Sequence, residues 1–231
     1  MGDEMLMQIL EEMKSNHARA YKIVTLGSSN TELSWHSGGR HNWVDWLNIS
    51  LRTHIGKHIN TVNQGICGER TDQMIARLDR DVFSYSPDIV IVTSGGNDIA
   101  QGYSIEQYSK SIQIIIDRLL GKGVVPVLQT YYCPIFSEMP DEFGKAFIEF
   151  VKENRRVAKQ NNLTLIDQFE TFEPLYRKSE EDYRQIMTDT MHVNYLGNLI
   201  MGKIANKTFG MPDFDVPNDI KEEWRIWDEC V

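Results

Sequence analysis

The sequence predicts a protein of the α/β class, with a five-stranded parallel sheet between two layers of helices. Five short runs of apolar, mostly β-branched residues are each bounded by Gly, Pro, Asn or Asp, as is typical of buried strands. Between these runs lie longer segments whose apolar residues recur at helical spacing. Strands that alternate with helices form a parallel sheet with helices on both faces, a three-layer α/β/α sandwich.

The predicted elements follow one another along the chain. The strands are expected at Ile23–Leu26, Ile59–Val62, Ile89–Thr93, Val124–Leu128 and Leu163–Ile166. The helices between them are expected at Trp43–His54, Thr71–Phe83, Ile105–Leu120 and Glu142–Gln160. A final amphipathic helix is predicted from Tyr195 to about Lys207.

One domain is expected for the 231 residues, because a chain of this length builds a single substantial core. The core should cover about residues 21–208, with an N-terminal helix at about Met5–Ala18 and a C-terminal tail that carries Trp224 and Trp227. We interpret both additions as segments packed on the core. A contact between the subunits of a homodimer is the alternative for the tail.

Composition limits the classes of partner and compartment. The chain has 24 Lys and Arg against 33 Asp and Glu, a net charge of −9, which argues against nucleic acid and anionic membranes as partners. Three cysteines without a closely spaced pair indicate neither a disulfide framework nor a zinc site. No segment resembles a signal peptide or is apolar for long enough to span a membrane. We therefore expect a cytoplasmic protein.

Polar and glycine-rich loops follow the predicted strands. Ligands bind outside the carboxyl ends of the strands in an open parallel sheet, so these loops should form one rim. The loops contain Gly27–Thr31, Asn63–Gly68, Gly95–Asp98 and Gln129–Pro134, and a later loop supplies Asp189 and His192. We expect the functional site at this rim.

The residue types at the rim suit nucleophilic catalysis. A serine hydroxyl such as that of Ser29 becomes a good nucleophile only when a base removes its proton, and imidazole, which ordinarily titrates near about pH 6.5, suits this task. Asp189 precedes His192 by three positions and can fix the imidazole tautomer through a hydrogen bond. Taken alone, this pair could equally cap the helix that follows.

Four separated blocks of the sequence, between residues 23 and 207, resemble the motifs of the SGNH hydrolases, also called the GDSL esterase/lipase family. The family takes its name from a Ser, a Gly, an Asn and a His in four blocks. The residues that align are the nucleophile Ser29, the second-block Gly68, the third-block Asn97, and Asp189 with His192 in the last block, Asp-x-x-His. The blocks occur in the family's order, and each follows a predicted strand or precedes the final helix.

This resemblance implies a fold and a chemistry. The fold is the flavodoxin-like SGNH hydrolase fold, and the activity is a serine-dependent acyl ester hydrolase that uses no metal and no cofactor. Ser29, His192 and Asp189 would form the catalytic triad. The oxyanion hole would consist of the Ser29 N–H, the Gly68 N–H and the Asn97 side chain. The family members most similar in pattern act on short acyl esters, including acetyl esters of carbohydrates.

The first block departs from the family pattern, which is usually Gly-Asp-Ser. Ser28 takes the place of the aspartate, so the turn before the nucleophile loses a carboxylate and gains a hydroxyl. A hydroxyl accepts hydrogen bonds in a turn without the assistance of a charge. Two adjacent serines also leave the identity of the nucleophile open between Ser28 and Ser29, and the register after Gly27 favours Ser29.

Several further residues are expected to line the substrate pocket. They are Trp35, His36, Tyr131 and Tyr132, all in loops that should reach the rim, and core packing is the alternative for the aromatic ones. A metal site at His36 and His41 lacks a third ligand at a recognisable spacing.

Other functions use the same rim. A lysophospholipase, a thioesterase or an acyltransferase would need the same triad. A non-catalytic ligand-binding protein with a weakened site is the alternative from another class. A nucleotide-binding protein is disfavoured, because no phosphate-binding glycine motif follows a predicted strand.

Overall fold

Parallel strands form the sheet at the centre of the computed structural model, which describes residues 3–32 and 35–228, with only the backbone of Asp3 and Trp35. The strands cover Tyr21–Gly27 (β1), Ile59–Gly65 (β2), Ile89–Thr93 (β3), Val125–Gln129 (β4) and Thr164–Ile166 (β5). Their order is β2-β1-β3-β4-β5, and every pairing is parallel. This is the flavodoxin-like order. The predicted five-stranded parallel sheet is therefore confirmed.

Helices cover both faces of the sheet. They span Asp3–Ser15 (α1), Trp43–His54 (α2), Thr71–Ala76 (α3), Leu78–Asp81 (α4), Gly96–Ala100 (α5), Ile105–Leu120 (α6), Asp141–Gln160 (α7), Gln168–Lys178 (α8), Glu180–Arg184 (α9), Tyr195–Thr208 (α10) and Lys221–Trp224 (α11). Short 3-10 turns lie at Trp35–Ser37, Phe83–Tyr85, Phe136–Glu138 and Asn218–Ile220. The bounds of α2 and α6 are those predicted from the sequence.

The two faces of the sheet bury separate apolar clusters. Ile23 and Ile91 pack with residues of α1, α2 and α10, whereas Val24 and Val90 pack with residues of α3 and α6. All four strand residues are fully buried. Successive side chains of a strand point to opposite faces, so this division follows from the sequence alternation within β1 and β3.

The helix predicted over Thr71–Phe83 is interrupted, which corrects the sequence analysis. Arg77 separates α3 from α4 and has φ −107° and ψ 5°, outside the helical region. Its buried guanidinium lies 2.7 Å from Glu69 and donates to the Gln64 carbonyl at 2.8 Å. These contacts with the end of β2 hold Arg77 out of the helix, and sequence periodicity does not register them.

Two helices after β5, α8 and α9, were not predicted. Asp167 caps the N-terminus of α8 by accepting a hydrogen bond from the Glu170 N–H at 3.2 Å. Phe169 and Phe172 lie on the inner face of α8 and are buried. Pro174 lies inside α8. A proline inside a helix removes a backbone hydrogen bond and is tolerated mainly in the first turn, whereas Pro174 is the seventh residue of α8. The sequence around Pro174 therefore argues against a helix that the structure contains.

Two glycines let the last long helix, α10, pack closely, Gly202 against α2 and Gly197 against the loop that precedes α10. A Cβ atom on Gly202 would lie 2.5 Å from the Cβ of Trp46, and one on Gly197 would lie 2.5 Å from the Cβ of Val193. The N-terminus of α10 is capped by Asn194, which accepts from the Leu196 and Gly197 N–H groups. Close packing therefore sets the position of the loop that precedes α10, and this loop carries Asp189 and His192.

Both terminal additions pack on the chain's own core. Leu6 and Leu10 of α1 are fully buried, and Trp224 and Trp227 of the tail are each 3% exposed. Both indoles thus pack within this chain, and the homodimer considered from the sequence stays a prediction. Among the described residues, none of the helices has the length and apolar character needed to cross a membrane.

Candidate active site

The candidate site lies at the carboxyl ends of β1 and β3, where the strand order reverses. The chain leaves β1 toward β2 on one side, while β3 is the neighbour of β1 on the other. Crevices form at such switch points because the flanking loops diverge. Ser29 follows β1 and Asn97 follows β3, so both reach this crevice.

The structure brings Ser29, His192 and Asp189 together. The His192 Nε2 atom lies 3.0 Å from Ser29 Oγ, and His192 Nδ1 lies 2.9 Å from one Asp189 carboxylate oxygen and 3.0 Å from the other. When Nδ1 carries the hydrogen that is donated to the carboxylate, Nε2 presents its lone pair to the serine hydroxyl. The three side chains thus lie in the order expected of a nucleophile, a base and an orienting acid.

Backbone hydrogen bonds fix the Asp189 carboxylate. One of its oxygens accepts from the Met191 and His192 N–H groups, both at 2.8 Å. Burial alone would raise the pKa of Asp189, but the hydrogen bonds from Met191 and from His192 outweigh it and lower the pKa below the usual range. The side chain therefore stays ionised and remains an acceptor for the imidazole.

The geometry separates the two adjacent serines. Ser29 is half-buried and faces the imidazole, whereas Ser28 is 1% exposed and its Oγ lies 2.5 Å from the Tyr131 hydroxyl. Burial raises the pKa of Tyr131 to about 12, so the phenol is neutral at physiological pH. The turn is closed by the Thr31 and Glu32 N–H groups, which donate to the Ser28 carbonyl at 2.9 Å each. A phenol thus contacts the position that a carboxylate occupies in the usual family pattern.

Gly68 and Asn97 lie on neighbouring loops of the rim. Gly68 has φ +79°, which favours glycine, and no atom lies within 4 Å of where its Cβ would be. Its backbone is therefore open to a ligand. The Asn97 amide donates to the Glu69 carbonyl at 3.0 Å, next to Gly68. An amide NH2 has two hydrogens, so this bond leaves a second hydrogen for a ligand.

A cavity of about 320 Å³ opens beside Ser29. Its polar wall includes Asn97 and His192, and its remaining wall is mostly apolar, formed by Ala100, Tyr131, Met139, Pro140, Phe143 and Met191. Of the residues expected to line the pocket, Tyr131 does so. The Met139–Phe143 segment was missed, although two large apolar residues around a proline in an otherwise polar connection are visible in the sequence.

The other expected lining residues are placed differently. Tyr132 is 1% exposed and its hydroxyl is buried in the core, so its prediction as a lining residue is corrected. Its ring turns inward because it packs on Phe172, with ring centroids 5.3 Å apart. The side chain of Trp35 lies outside the described part of the structure.

His36 lies behind His192 and not in the large cavity. The two imidazole rings stack at a centroid distance of 4.0 Å and an interplanar angle of 7°. Burial lowers the pKa of His36, and the neighbouring His192 lowers it further. His36 instead borders a small cavity of about 10 Å³, which Ser29 and His192 also line.

A metal ion has potential ligands here that the sequence spacing did not reveal. His36, Asp189 and His192 each offer a ligand atom, all within 4.8 Å of one another. The in-plane lone pairs of two parallel rings run side by side, however, and do not converge on one point. The stacked geometry therefore favours His36 as a packing partner of His192 over a metal site formed by the two rings. His41 is distant from this group and contacts Trp46, with ring centroids 5.0 Å apart.

A cysteine nucleophile is not favoured by the structure. The Cys133 thiol is buried, which raises its pKa well above the usual range and keeps it protonated. Cys67 is exposed, and its backbone N–H donates to Glu32.

Comparisons with known proteins find similarity to esterases. An arylesterase of Vibrio mimicus is 23% identical over 126 residues, which are 54% of this chain and 59% of the arylesterase. An acetylxylan esterase of Geobacillus stearothermophilus is 20% identical over 164 residues, 66% of this chain and 73% of that enzyme. The chain thus matches little more than half of the arylesterase.

Solved structures show the same fold. Axe2, an acetylxylan esterase from Geobacillus stearothermophilus, superposes with a TM-score of 0.72 at 18% identity, covering 87% of this chain and 98% of Axe2. Structures of Axe2 catalytic mutants replace a serine, an aspartate and a histidine by alanine, the last two being three positions apart.

The model of the GDSL-like lipase/acylhydrolase family matches residues 25–200, which include all four sequence blocks. This match covers most of the chain and ends within α10. The chain therefore belongs to the GDSL-like lipase/acylhydrolase family.

Proposed function

We propose that this protein hydrolyses small carboxylic esters through an acyl-enzyme on Ser29. The observation that carries the proposal is the contact of 3.0 Å between Ser29 Oγ and His192 Nε2, with Nδ1 of the same ring on the Asp189 carboxylate. A hydroxyl, a base and an orienting acid in this order activate a serine toward a carbonyl.

The first half-reaction acylates the serine. His192 Nε2 accepts the Ser29 proton while Oγ attacks the ester carbonyl, and the carbonyl oxygen becomes an oxyanion. The Ser29 N–H, the Gly68 N–H and the Asn97 amide are the proposed donors to this oxyanion. The imidazolium then gives its proton to the departing alcohol, and the acyl group remains on Oγ.

The second half-reaction releases the acid. Water takes the place of the alcohol, and His192 Nε2 removes a proton from it during attack on the acyl-enzyme. The second tetrahedral intermediate collapses with return of the proton to Ser29 Oγ. Asp189 stays ionised throughout and stabilises the imidazolium. The likeness to Axe2, whose catalytic mutants change the same three residue types, supports these assignments.

Short acyl groups, including acetyl groups on carbohydrates, are the proposed substrates. A cavity of about 320 Å³ is at the small end of ligand sites, which range from about 300 to 1,000 Å³. The apolar wall of Met139, Pro140 and Phe143 favours longer acyl chains as the second candidate. A series of p-nitrophenyl esters from acetate to octanoate, with acetylated xylose alongside, distinguishes them, because short-acyl specificity requires kcat/KM to fall beyond butyrate.

Variants of the two adjacent serines test the mechanism. We expect Ser29→Ala to abolish p-nitrophenyl acetate hydrolysis, whereas Ser28→Ala, the matched control, keeps a nucleophile in contact with His192. A fluorophosphonate should phosphonylate Ser29 with loss of HF, and the adduct should appear on the peptide of Ser29 in the wild type and in the Ser28→Ala variant. Wild-type rates in Ser29→Ala, or labelling that persists in it, would refute the acyl-enzyme.

A further inference from the structure

We propose that Tyr132 is a positioning residue whose buried hydroxyl holds the loop of His192 against the loop of Ser29. The inference rests on the proposed function, because it concerns the alignment of the nucleophile with its base. Tyr132 does not line the cavity beside Ser29, so it is not expected to touch the substrate.

The Tyr132 hydroxyl contacts both loops at once. It lies 2.6 Å from the Met191 carbonyl oxygen and accepts from the Val193 N–H at 3.0 Å. These two residues flank His192 in the sequence. The same hydroxyl lies 2.6 Å from the side-chain oxygen of Asn30, which directly follows Ser29.

The hydrogen and the lone pairs of the Tyr132 hydroxyl limit how these three contacts are made. A phenol has one hydrogen to donate and two lone pairs that accept. The Met191 carbonyl can only accept, so it takes the phenol hydrogen, and the Val193 N–H fills one lone pair. In the structure the Asn30 side-chain oxygen faces the phenol, and a turned amide would instead present its NH2 group to the second lone pair. The two orientations of an amide have nearly the same shape.

The tyrosine ring is itself held in place. Its centroid lies 5.3 Å from that of Phe172 and 6.5 Å from that of Tyr131. Asn30 is anchored separately, because its backbone carbonyl accepts from the Trp43 indole at 2.9 Å. The hydroxyl thus joins two loops from a position that packing fixes. Among the residues joined here, Ser29 and His192 are the ones that take part in the proposed reaction.

Tyr132→Phe should lower turnover without weakening substrate binding. The substitution keeps the ring and its packing but leaves the Met191 carbonyl and the Val193 N–H without their partner. Since small misplacements of reacting groups cost up to about 100-fold in rate, we expect kcat to fall roughly 10- to 100-fold while KM changes less than about 2-fold. Tyr21→Phe is the matched control: Tyr21 is also fully buried, but its hydroxyl donates to Glu12 at 2.8 Å, on α1.

Three measurements on the full-length chain test the inference. They are kcat and KM for p-nitrophenyl acetate, the rate at which a fluorophosphonate labels Ser29, and amide hydrogen exchange of the peptide over residues 188–194. We expect slower labelling and faster exchange in Tyr132→Phe and neither change in Tyr21→Phe. Hydrogen exchange does not depend on activity, so a wild-type protein that proves inactive would refute the proposed function and leave this test in force.

A folded Tyr132→Phe protein with wild-type kcat and wild-type exchange would overturn the inference. An equal loss of kcat in Tyr21→Phe would also overturn it. If circular dichroism shows that Tyr132→Phe is unfolded, Asn30→Ala removes one of the three contacts instead. Unchanged labelling of Ser29 and unchanged exchange over residues 188–194 in that variant would also overturn it.

Discussion

The contact between Ser28 and Tyr131 should be one of the more costly hydrogen bonds of this protein to break. Ser28 is 1% exposed and Tyr131 is 6% exposed, and their oxygens lie 2.5 Å apart. Tyr131→Phe removes the phenol oxygen and keeps the ring. The Ser28 hydroxyl is then left buried without this partner, in the turn that presents Ser29.

The expected cost follows from this burial. A buried polar group that loses its hydrogen-bond partner costs about 1–3 kcal/mol of unfolding free energy. In a protein of this size, each kcal/mol corresponds to about 2–4 °C in Tm, so Tyr131→Phe should lower Tm by about 2–12 °C. Ser28→Ala removes the same bond, but the phenol keeps its hydrogen bond from the Gly96 N–H, so this variant should cost less than Tyr131→Phe.

The double variant distinguishes this bond from general packing. Removing both hydroxyls leaves neither group unsatisfied, so the combined loss should be smaller than the sum of the two single losses by about 0.5–3 kcal/mol. Urea denaturation of the wild type, both single variants and the double variant measures this coupling. Strictly additive losses would refute the argument, because they would show that the two oxygens do not depend on each other.

Three further predictions concern the site and its support. Asn97→Ala should lower kcat for p-nitrophenyl acetate by roughly 10²–10³-fold through loss of one oxyanion donor, and an unchanged kcat would exclude that role. Asp189→Asn should lower kcat by about 10³–10⁴-fold through the wrong imidazole tautomer, with Tm measured in parallel from pH 8 to pH 3. Because the pKa of Asp189 is lowered on folding, its stabilisation is complete above the ordinary aspartate pKa of about 3.9 and disappears as the pH falls through the lower folded value. The Tm difference between wild type and Asp189→Asn should therefore shrink as the pH falls from about 5 to 3; a difference that grows over this range would contradict the sign. Gly197→Ala should lower the unfolding free energy by about 1–3 kcal/mol, because the new Cβ would lie 2.5 Å from the Cβ of Val193, and a neutral result in urea denaturation would show that α10 can move away.

Local patterns were sufficient for most of the fold. The strands were predictable because β1 and β3 alternate between two buried faces, and α2 begins where Asn42 accepts from the Val44 and Asp45 N–H groups. The interruption at Arg77 was not predictable. It depends on Glu69 and on the end of β2, which approach only after the sheet forms.

The site was predictable in its residue types but not in all its orientations. Ser29, Asp189 and His192 follow motifs, and strand order brings them to one rim. Whether Tyr131 or Tyr132 faces the cavity depends on how the loop after β4 turns. Two adjacent tyrosines in a sequence do not indicate which of them points to the cavity. His36 was predicted to line the pocket but stacks on His192 outside the large cavity, because the loop that carries it has no regular pattern from which its course could be predicted.

The nucleophile and its base stand 163 positions apart in the chain, which has a consequence during translation. At about 5–20 residues per second, roughly 8–33 s separate the synthesis of Ser29 from that of His192. A nascent chain in this interval holds Ser29 without His192. The proposed nucleophile therefore gains its proposed base only after the loop before the last long helix has been made and has folded.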